Sequence, residues 1–423
     1  MVSGGGGAGT PRRVLMIAYH YPPLQGGSGV LRTESFARYL PQSGWQALVL
    51  SARAPAQPCT PAPSSRIVRH SIALDARRHL AVRGRYPACV ALPDRWSSWW
   101  LTGVPAALRL IRQYRPDAIW STYPIPTAHL IALAVHRLTG LPWVADQRDP
   151  MIDDSDPAQP YPPDPRVYRW HAWIERRAAA RCAAMVCTTP GAVAAHRARL
   201  APASPRICLI ENGHDEADFA AIVPRWAPRS RFLLLHSGVV YPSERDPRPL
   251  FAALSRLRSE GLISERNFEL RLRATGHDGW LAGLLQQAGI AGLVTLAPMQ
   301  THTAALAEMQ TADGLLLLQA ANCNAQIPTK LYEYLRCRRP ILGLLDAAGD
   351  TAAKLRAAGI DTMGQLDSSD DCARALLHFL ALARTGCPPL ASMAEIALQT
   401  RQQRSLALAR LLDTVVENTR RTP

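Results

Sequence analysis

Short apolar runs alternate with amphipathic stretches along nearly the whole chain, and that alternation is the pattern of a parallel β-sheet covered on both faces by helices. In the first half, runs at 14–18, 47–50, 117–121, 143–146, 185–188 and 206–210 read as strands, with helices expected over 30–40 and 175–184. The rhythm then restarts. Strands are expected at 231–236, 269–274, 293–296, 314–319 and 341–345, and helices over 249–259, 304–309 and 329–335. A proline-rich segment at 220–228 separates the two series and reads as a linker. With 423 residues the chain exceeds the size at which one hydrophobic core stops growing, so two sheets imply two domains. The expected division is an N-terminal domain over 11–215, a C-terminal domain over 229–385 and a helical segment over 386–423 that packs back on the N-terminal domain. Open parallel sheets bind ligands at the carboxyl ends of their strands. The chemistry is therefore expected in the loops after the strands, with the two halves facing each other across a cleft.

Several classes of function fall away on composition. No apolar stretch approaches the roughly 20 residues of a membrane span, because the most apolar region, 119–144, is broken by Pro124, Pro126, His129, His136, Arg137 and Pro142. The Gly-rich start at 1–10 lacks the basic and apolar regions of a signal peptide. Nine scattered cysteines without a C-x-x-C pair indicate neither a disulfide framework nor a zinc site, and suit a reducing cytoplasm. The net charge of +15 comes almost wholly from arginine, with Lys330 and Lys354 the only lysines. Such charge favours anionic partners, but no nucleic-acid-binding signature accompanies it, and nucleic acid is not an expected partner.

Three stretches carry candidate chemistry. Gln25-Gly26-Gly27-Ser28-Gly29 follows the first strand and opens a helix, so its backbone can approach a ligand closely and its helix start favours an anion. A simple tight turn is the plainer reading, and the spacing is not the dinucleotide fingerprint G-x-G-x-x-G. Asp146-Gln147-Arg148-Asp149 ends a strand, where charged side chains can meet sugar hydroxyls; an Asp–Arg pair bracing a loop is the alternative. Lys330 and Glu333 share one face at a helix start, a cation for phosphate and a carboxylate for ribose hydroxyls. Asn212-Gly213-His214-Asp215 forms a turn after a strand, and Ser237-Gly238 with Arg245 lies in a basic loop after another. Asp154-Ser155-Asp156 spells D-x-D but reads as a solvated acidic loop.

In this order the motifs resemble the family-four glycosyltransferases, whose two Rossmann-like domains form the GT-B fold. The resemblance spans roughly residues 12 to 385, and its most specific parts are Lys330-x-x-Glu333-Tyr334 and Asn212-Gly213-x-Asp215. It implies that Glu333 holds the donor ribose and that Lys330, Arg245 and Gly238 face the diphosphate. It also implies that Gly26, Gly27, Ser28 and Gly29 close over donor and acceptor. Asp146, Arg148 and Asp149 are the expected catalytic residues, addressing the sugar or the acceptor hydroxyl. Transfer with retention, without metal or other cofactor, is the expected reaction, in polysaccharide biosynthesis or a related route. The partners are then a nucleotide-sugar donor and a hydroxyl acceptor. The chain departs from the pattern at Ala325, where many members have glutamate, with Asn322, Asn324 or Gln326 as substitutes; at Val239, where an arginine is usual; and at Arg148, where a histidine is usual. A nucleotide-sugar epimerase of the same fold and a non-catalytic nucleotide-sugar-binding relative are the rival readings. Trp96-Ser97-Ser98-Trp99-Trp100-Leu101, leading into the basic stretch 106–112, suggests an anionic membrane surface as a further partner, for a cytoplasmic protein peripheral on the inner face of the membrane. Packing of the tryptophans into the core is the plainer alternative.

Overall fold

The computed structural model describes residues 11–22, 28–53, 67–153, 160–201, 206–220, 222–224, 229–386 and 388–421. The chain divides into two compact units. One runs to Asn212 and takes in the residues from Arg401 onward; the other is Gly213–Thr400.

The first unit is built on strands β1 (Arg12–Ile17), β2 (Trp45–Arg53), β3 (Ile67–Ile72), β4 (Ala118–Thr122), β5 (Trp143–Gln147), β6 (Ala184–Cys187) and β7 (Arg206–Leu209). They lie in the order β3-β2-β1-β4-β5-β6-β7, every pair parallel. Its helices are α1 (Ser28–Tyr39), α2 (Ala76–His79), α3 (Trp99–Tyr114), α4 (Pro126–Thr139), α5 (Pro165–Ala179) and α6 (Pro190–Leu200). The second unit carries β8 (Phe232–Ser237), β9 (Phe268–Arg273), β10 (Val294–Ala297), β11 (Gly314–Leu318), β12 (Ile341–Leu344) and β13 (Met363–Gly364), in the parallel order β10-β9-β8-β11-β12-β13. Between and around these strands run α7 (Glu216–Ala220), α8 (Arg248–Ser259), α9 (Asp278–Gln287), α10 (His302–Thr311), α11 (Thr329–Cys337), α12 (Asp350–Ala357), α13 (Ser369–Arg384) and α14 (Met393–Leu398). A last helix, α15 (Arg401–Arg421), returns to the first unit.

The strands are apolar on both faces because both faces are covered, as a parallel sheet requires. Successive residues of β1 feed different layers: Leu15 and Ile17 pack with Trp99, Ile131 and Leu133 of α3 and α4, whereas Val14 and Met16 pack with Phe36 of α1 and Leu412 and Val415 of α15. In the second unit Leu316 and Leu318 face α8 and α13, while Leu315 and Leu317 face α10 and α11. Each such side chain, fully buried, stabilises by about 1.5–3 kcal/mol.

Some boundaries differ from the sequence reading. The helix expected over 175–184 is α5, which begins at Pro165 because the Asp164 carboxylate accepts from the N–H groups of Arg166 and Val167. The strand β3 matches no expected run; it is an edge strand with only Ser71 buried. The division between units falls at 212/213, ahead of the expected boundary at 215. Residues 386–400 belong to the second unit, whereas the residues from Arg401 onward are the ones that join the first.

A buried charge network knits α5, α6 and β6 together. Glu175, without exposed surface, accepts two bonds from Arg199 (2.8 and 2.9 Å), and Nε2 of His196 lies 3.1 Å from its Oε1. Burial alone would raise the carboxyl, but the bonds from His196 and Arg199 outweigh it and hold it at about 2. Burial alone would lower His196, but its contacts with Cys187 and Glu175 outweigh that and raise it to about 10. A depressed carboxyl stabilises above its unfolded value of 4.5 and loses that contribution as pH falls through 2. A raised imidazole stabilises fully below its unfolded 6.5 and loses its contribution as pH rises through 10. The melting temperature of the wild type relative to His196→Gln should therefore shrink steadily between pH 6.5 and about 10. A difference that stays constant across that range would show the pair to be electrically silent.

Candidate active site

In the second sheet the strand order reverses between β8 and β11, the point at which an open α/β sheet leaves a binding crevice. Gly238 follows β8 with φ 122°, and a Cβ there would lie 2.8 Å from Nζ of Lys330, so the position requires glycine on both counts. Lys330 stands in the first turn of α11, whose start, after Pro328, has no side-chain cap. Its ammonium donates to Nε2 of His236 at 3.1 Å, while Nδ1–H of that ring donates to the Leu316 carbonyl at 3.0 Å. Burial, reinforced by the Lys330 and Arg245 charges, pushes the fully buried His236 well below the usual imidazole range. Burial and the Arg245 charge likewise push Lys330 well below the usual lysine range, against the opposing pull of Glu333.

Arg245 is held over the Tyr241 ring, 5.3 Å from its centroid, and Nη1 donates to the Val239 carbonyl at 2.6 Å. One turn beyond Lys330, the buried Tyr334 hydroxyl accepts from the Ser237 N–H at 3.0 Å, so one helix face fixes both the strand end and the ammonium. Glu333 is 8% exposed and accepts from Nε2 of His302 at 2.9 Å. Two cations and a helix N-terminus thus converge beside Gly238, an arrangement suited to a diphosphate, with a carboxylate three residues further along the helix. Ahead of α11, Ala325 is exposed. The Asn322 amide is engaged by the Ser243 carbonyl (3.0 Å) and the Asn324 amide by Asp346 (2.6 Å).

In the first unit the Asp146-to-Asp149 cluster comes apart into different roles. Asp146 has no exposed surface: its oxygens accept from Nη2 (2.8 Å) and Nε (3.1 Å) of Arg32 and from the Thr122 hydroxyl (2.8 Å). Its expected catalytic role is corrected by this geometry, because every oxygen is engaged and none is open to a sugar; Asp146 is a positioning residue. Alternation along β5 sends it, like Val144, toward the α1 layer where Arg32 stands. Arg32 also donates to the carbonyls of Ile210 (2.9 Å) and Glu211 (3.0 Å) and to Oδ1 of Asn212 (3.3 Å). Arg404 of α15 fixes the same turn, through Oε2 of Glu211 (2.6 Å) and the Asn212 carbonyl (3.1 Å).

Arg148 points elsewhere. Its side chain is 9% exposed, with Nη2 3.2 Å from Oδ2 of Asp149, whose own side chain is 48% exposed and open to a ligand. A Cβ on Gly29, in the first turn of α1, would lie 2.8 Å from Cζ of Arg148. Gly26 and Gly27 lie outside the described residues, as do Asp154, Ser155, Asp156 and the side chain of Ser28. The tryptophans divide. Trp99 is buried, its indole donating to Ser71 Oγ at 2.8 Å, so it is a core residue and not a docking one, whereas Trp100 is 41% exposed. His236, His302 and Arg32 were not visible as site residues from the sequence, since a histidine or arginine inside an apolar run gives no sign of the partner that a distant element supplies.

Residues 26–213 match the model of the glycosyl transferase 4-like domain. No curated protein matches the chain. Among solved structures it is similar to sucrose-phosphate synthase of Thermosynechococcus elongatus, with a TM-score of 0.72 at 13% identity over 96% of this chain and 100% of that one. The α,α-trehalose-phosphate synthase (UDP-forming) of Burkholderia xenovorans, in complex with glucose-6-phosphate, gives a TM-score of 0.66 at 14% identity over 95% and 100%. HepE of Anabaena in complex with UDP gives 0.59 at 12% identity over 97% and 99%. At such identities the structures speak for the fold alone, two Rossmann-like domains of the GT-B kind. Residues 26–213 thus carry a glycosyl transferase 4-like domain, within a chain that has the two-domain GT-B fold.

Proposed function

We propose that the chain moves a sugar from a nucleotide diphosphate sugar, held by the second unit, to a hydroxyl of an acceptor taken up by the first, with retention and without a metal. The observation that carries this reading is the convergence of Lys330, Arg245 and the uncapped start of α11 on Gly238. As the bond from the anomeric carbon to the phosphate oxygen breaks, the diphosphate leaves with the electron pair, and these cations spread its charge. The acceptor oxygen bonds to the anomeric carbon and its proton passes to the departing phosphate. Glu333 accepts the donor ribose hydroxyls, and Asp149 orients the sugar or the acceptor. Retention follows from the family resemblance and is read directly from the anomeric configuration of the product. HepE of Anabaena is found with UDP and with UDP-glucose, and the Burkholderia xenovorans synthase is UDP-forming, so uridine diphosphate sugars are the first donors to try.

Lys330→Ala and Glu333→Ala should each weaken nucleotide diphosphate binding by roughly tenfold or more, the loss of a charge-assisted hydrogen bond. Burial and Arg245 disfavour the ammonium form of Lys330 and a diphosphate favours it, so affinity should fall as pH rises through the lysine's lowered range. Calorimetry across a series of pH values should show this fall in the wild type and not in Lys330→Ala. Unchanged affinity in both folded variants would refute the donor site.

Asp149→Asn should lose turnover while keeping the nucleotide diphosphate affinity, a fall in kcat with little change in donor binding. Equal activity in the variant and wild type would reduce Asp149 to a partner of Arg148.

We place the chain at the cytoplasmic face of an anionic membrane. Among the described residues no helix is long and apolar enough to cross a membrane, but α4 packs against both α3 and α5, and this layer presents a basic, aromatic surface. Trp100, Leu101, Arg109 and Arg112 of α3 and Arg166, Arg169 and Trp170 of α5 are exposed, while Glu175, the one acidic residue of these two helices, is buried. The protein should co-sediment with anionic liposomes, release in salt, and lose binding when Trp100 and Trp170 are both replaced by Ala. Absence of binding at low salt would point to an acceptor met in solution.

A further inference from the structure

Two arginines of the first unit stand at the α1 end of the sheet, and they differ in one respect. Every guanidinium nitrogen of Arg32 has an acceptor. Arg148 has one, the Asp149 contact of Nη2, while its Nε and Nη1 are buried without a hydrogen-bond partner among the described residues. A buried cationic donor left unmet carries the full cost of its desolvation, so its retention calls for an acceptor from outside the fold. The surroundings agree on the sign of that acceptor. The guanidinium lies against Gly29 in the first turn of the twelve-residue α1, where the helix dipole favours negative charge. The positive charges of Arg148 and Arg95 both reach His20, which burial first and these charges second hold at about 4, so the ring is neutral at physiological pH and can offer an anion only an N–H donor. Arg95 itself lies over the Trp96 ring, 4.1 Å from its centroid, and His20 meets the same ring edge-on at 6.5 Å. Arg95, paired with Asp75 at 3.5 Å, and the Trp96 ring thus flank Arg148 and His20 near the carboxyl end of β1.

We propose that Arg148, the start of α1 at Gly29 and His20 form a subsite for a phosphate-like anionic group carried by the acceptor. The proposal rests on the transferase reading for its place in the reaction. The diphosphate of the donor is already provided for in the second unit by Lys330, Arg245 and the start of α11, so the anion that Arg148 lacks belongs to the other substrate. An acceptor bearing phosphate beside its hydroxyl would be anchored by Arg148 and packed on Trp96, with Asp149 left to address the reacting hydroxyl.

The test is calorimetric titration of the full chain with inorganic phosphate, with glucose 6-phosphate, with glucose and with UDP. Inorganic phosphate and glucose 6-phosphate should bind the wild type and glucose should bind far more weakly. Arg148→Gln should lower affinity for both phosphate probes by roughly tenfold or more. Arg148→Lys, which keeps the charge but not the planar donors, should fall between, and it remains informative if the glutamine variant fails to fold. UDP affinity should be unchanged in both Arg148 variants, and phosphate affinity should persist in Lys330→Ala. Phosphate binding that is absent from the wild type, or unaffected at Arg148, overturns the proposal. So does a loss of UDP binding in Arg148→Gln, which would assign the arginine to the donor. Because the donor site is tested at Lys330 with UDP and this subsite at Arg148 with phosphate, failure of one reading is distinguishable from failure of the other.

Discussion

The first unit turns on a buried ion pair. Arg32 and Asp146 meet with 5% and 0% side-chain exposure, and such a pair is strongly destabilising to break, by about 3–5 kcal/mol, because the survivor is left charged and unpaired. Its importance lies less in its strength than in what it joins. The arginine sits on α1 and the aspartate on β5, and the remaining donors close on the turn after β7 at Ile210, Glu211 and Asn212. Arg404 then holds that turn from α15. The helix that begins at the Gly-rich loop, the strand that delivers Arg148 and Asp149, and the point where the chain leaves the unit are therefore fixed by one guanidinium.

The second unit solves a similar problem with opposite chemistry. There the buried cation is not paired with a carboxylate. Lys330 rests on a neutral imidazole, His236, beside a second cation, Arg245. A carboxylate in that place would have neutralised the site and closed it to anions; an imidazole that accepts a hydrogen bond orients the ammonium and leaves its charge to be claimed by a ligand. The tautomer is set by the Leu316 carbonyl on β11, so the adjacent strand decides what the ammonium can do.

Much of this was legible in the sequence, and the reasons are specific. The two sheets were readable because strands buried on both faces appear as continuous apolar runs. Lys330 and Glu333 were readable because a helix start imposes a short spacing on them. The part played by Asp146 was not, since nothing in Asp146-Gln147-Arg148-Asp149 tells a carboxylate that faces Arg32 from one that faces solvent; only the alternation of β5 and a partner 114 residues away distinguish them. Trp99 and Trp100 are adjacent in sequence yet one is core and the other surface, because α3 carries them on different sides. The start of α5 lies ten residues ahead of the helix expected over 175–184, because Asp164 caps a helix whose first residue is Pro165, in a stretch rich in proline and aspartate.

The first unit is not continuous in sequence. Its α1 layer, with Phe36, Trp45 and Trp120, is completed by Leu408, Leu412 and Val415 of α15, and the whole of Gly213–Thr400 is made in between. During synthesis the sheet that is begun first must therefore wait with the part of this face that α15 covers still bare, α1 alone shielding the rest, while the other unit is translated. Domains fold as units as they emerge, so the order of completion here runs against the order of emergence. The half that starts at the amino terminus is the half that finishes last, its apolar layer closed only when α15 is made.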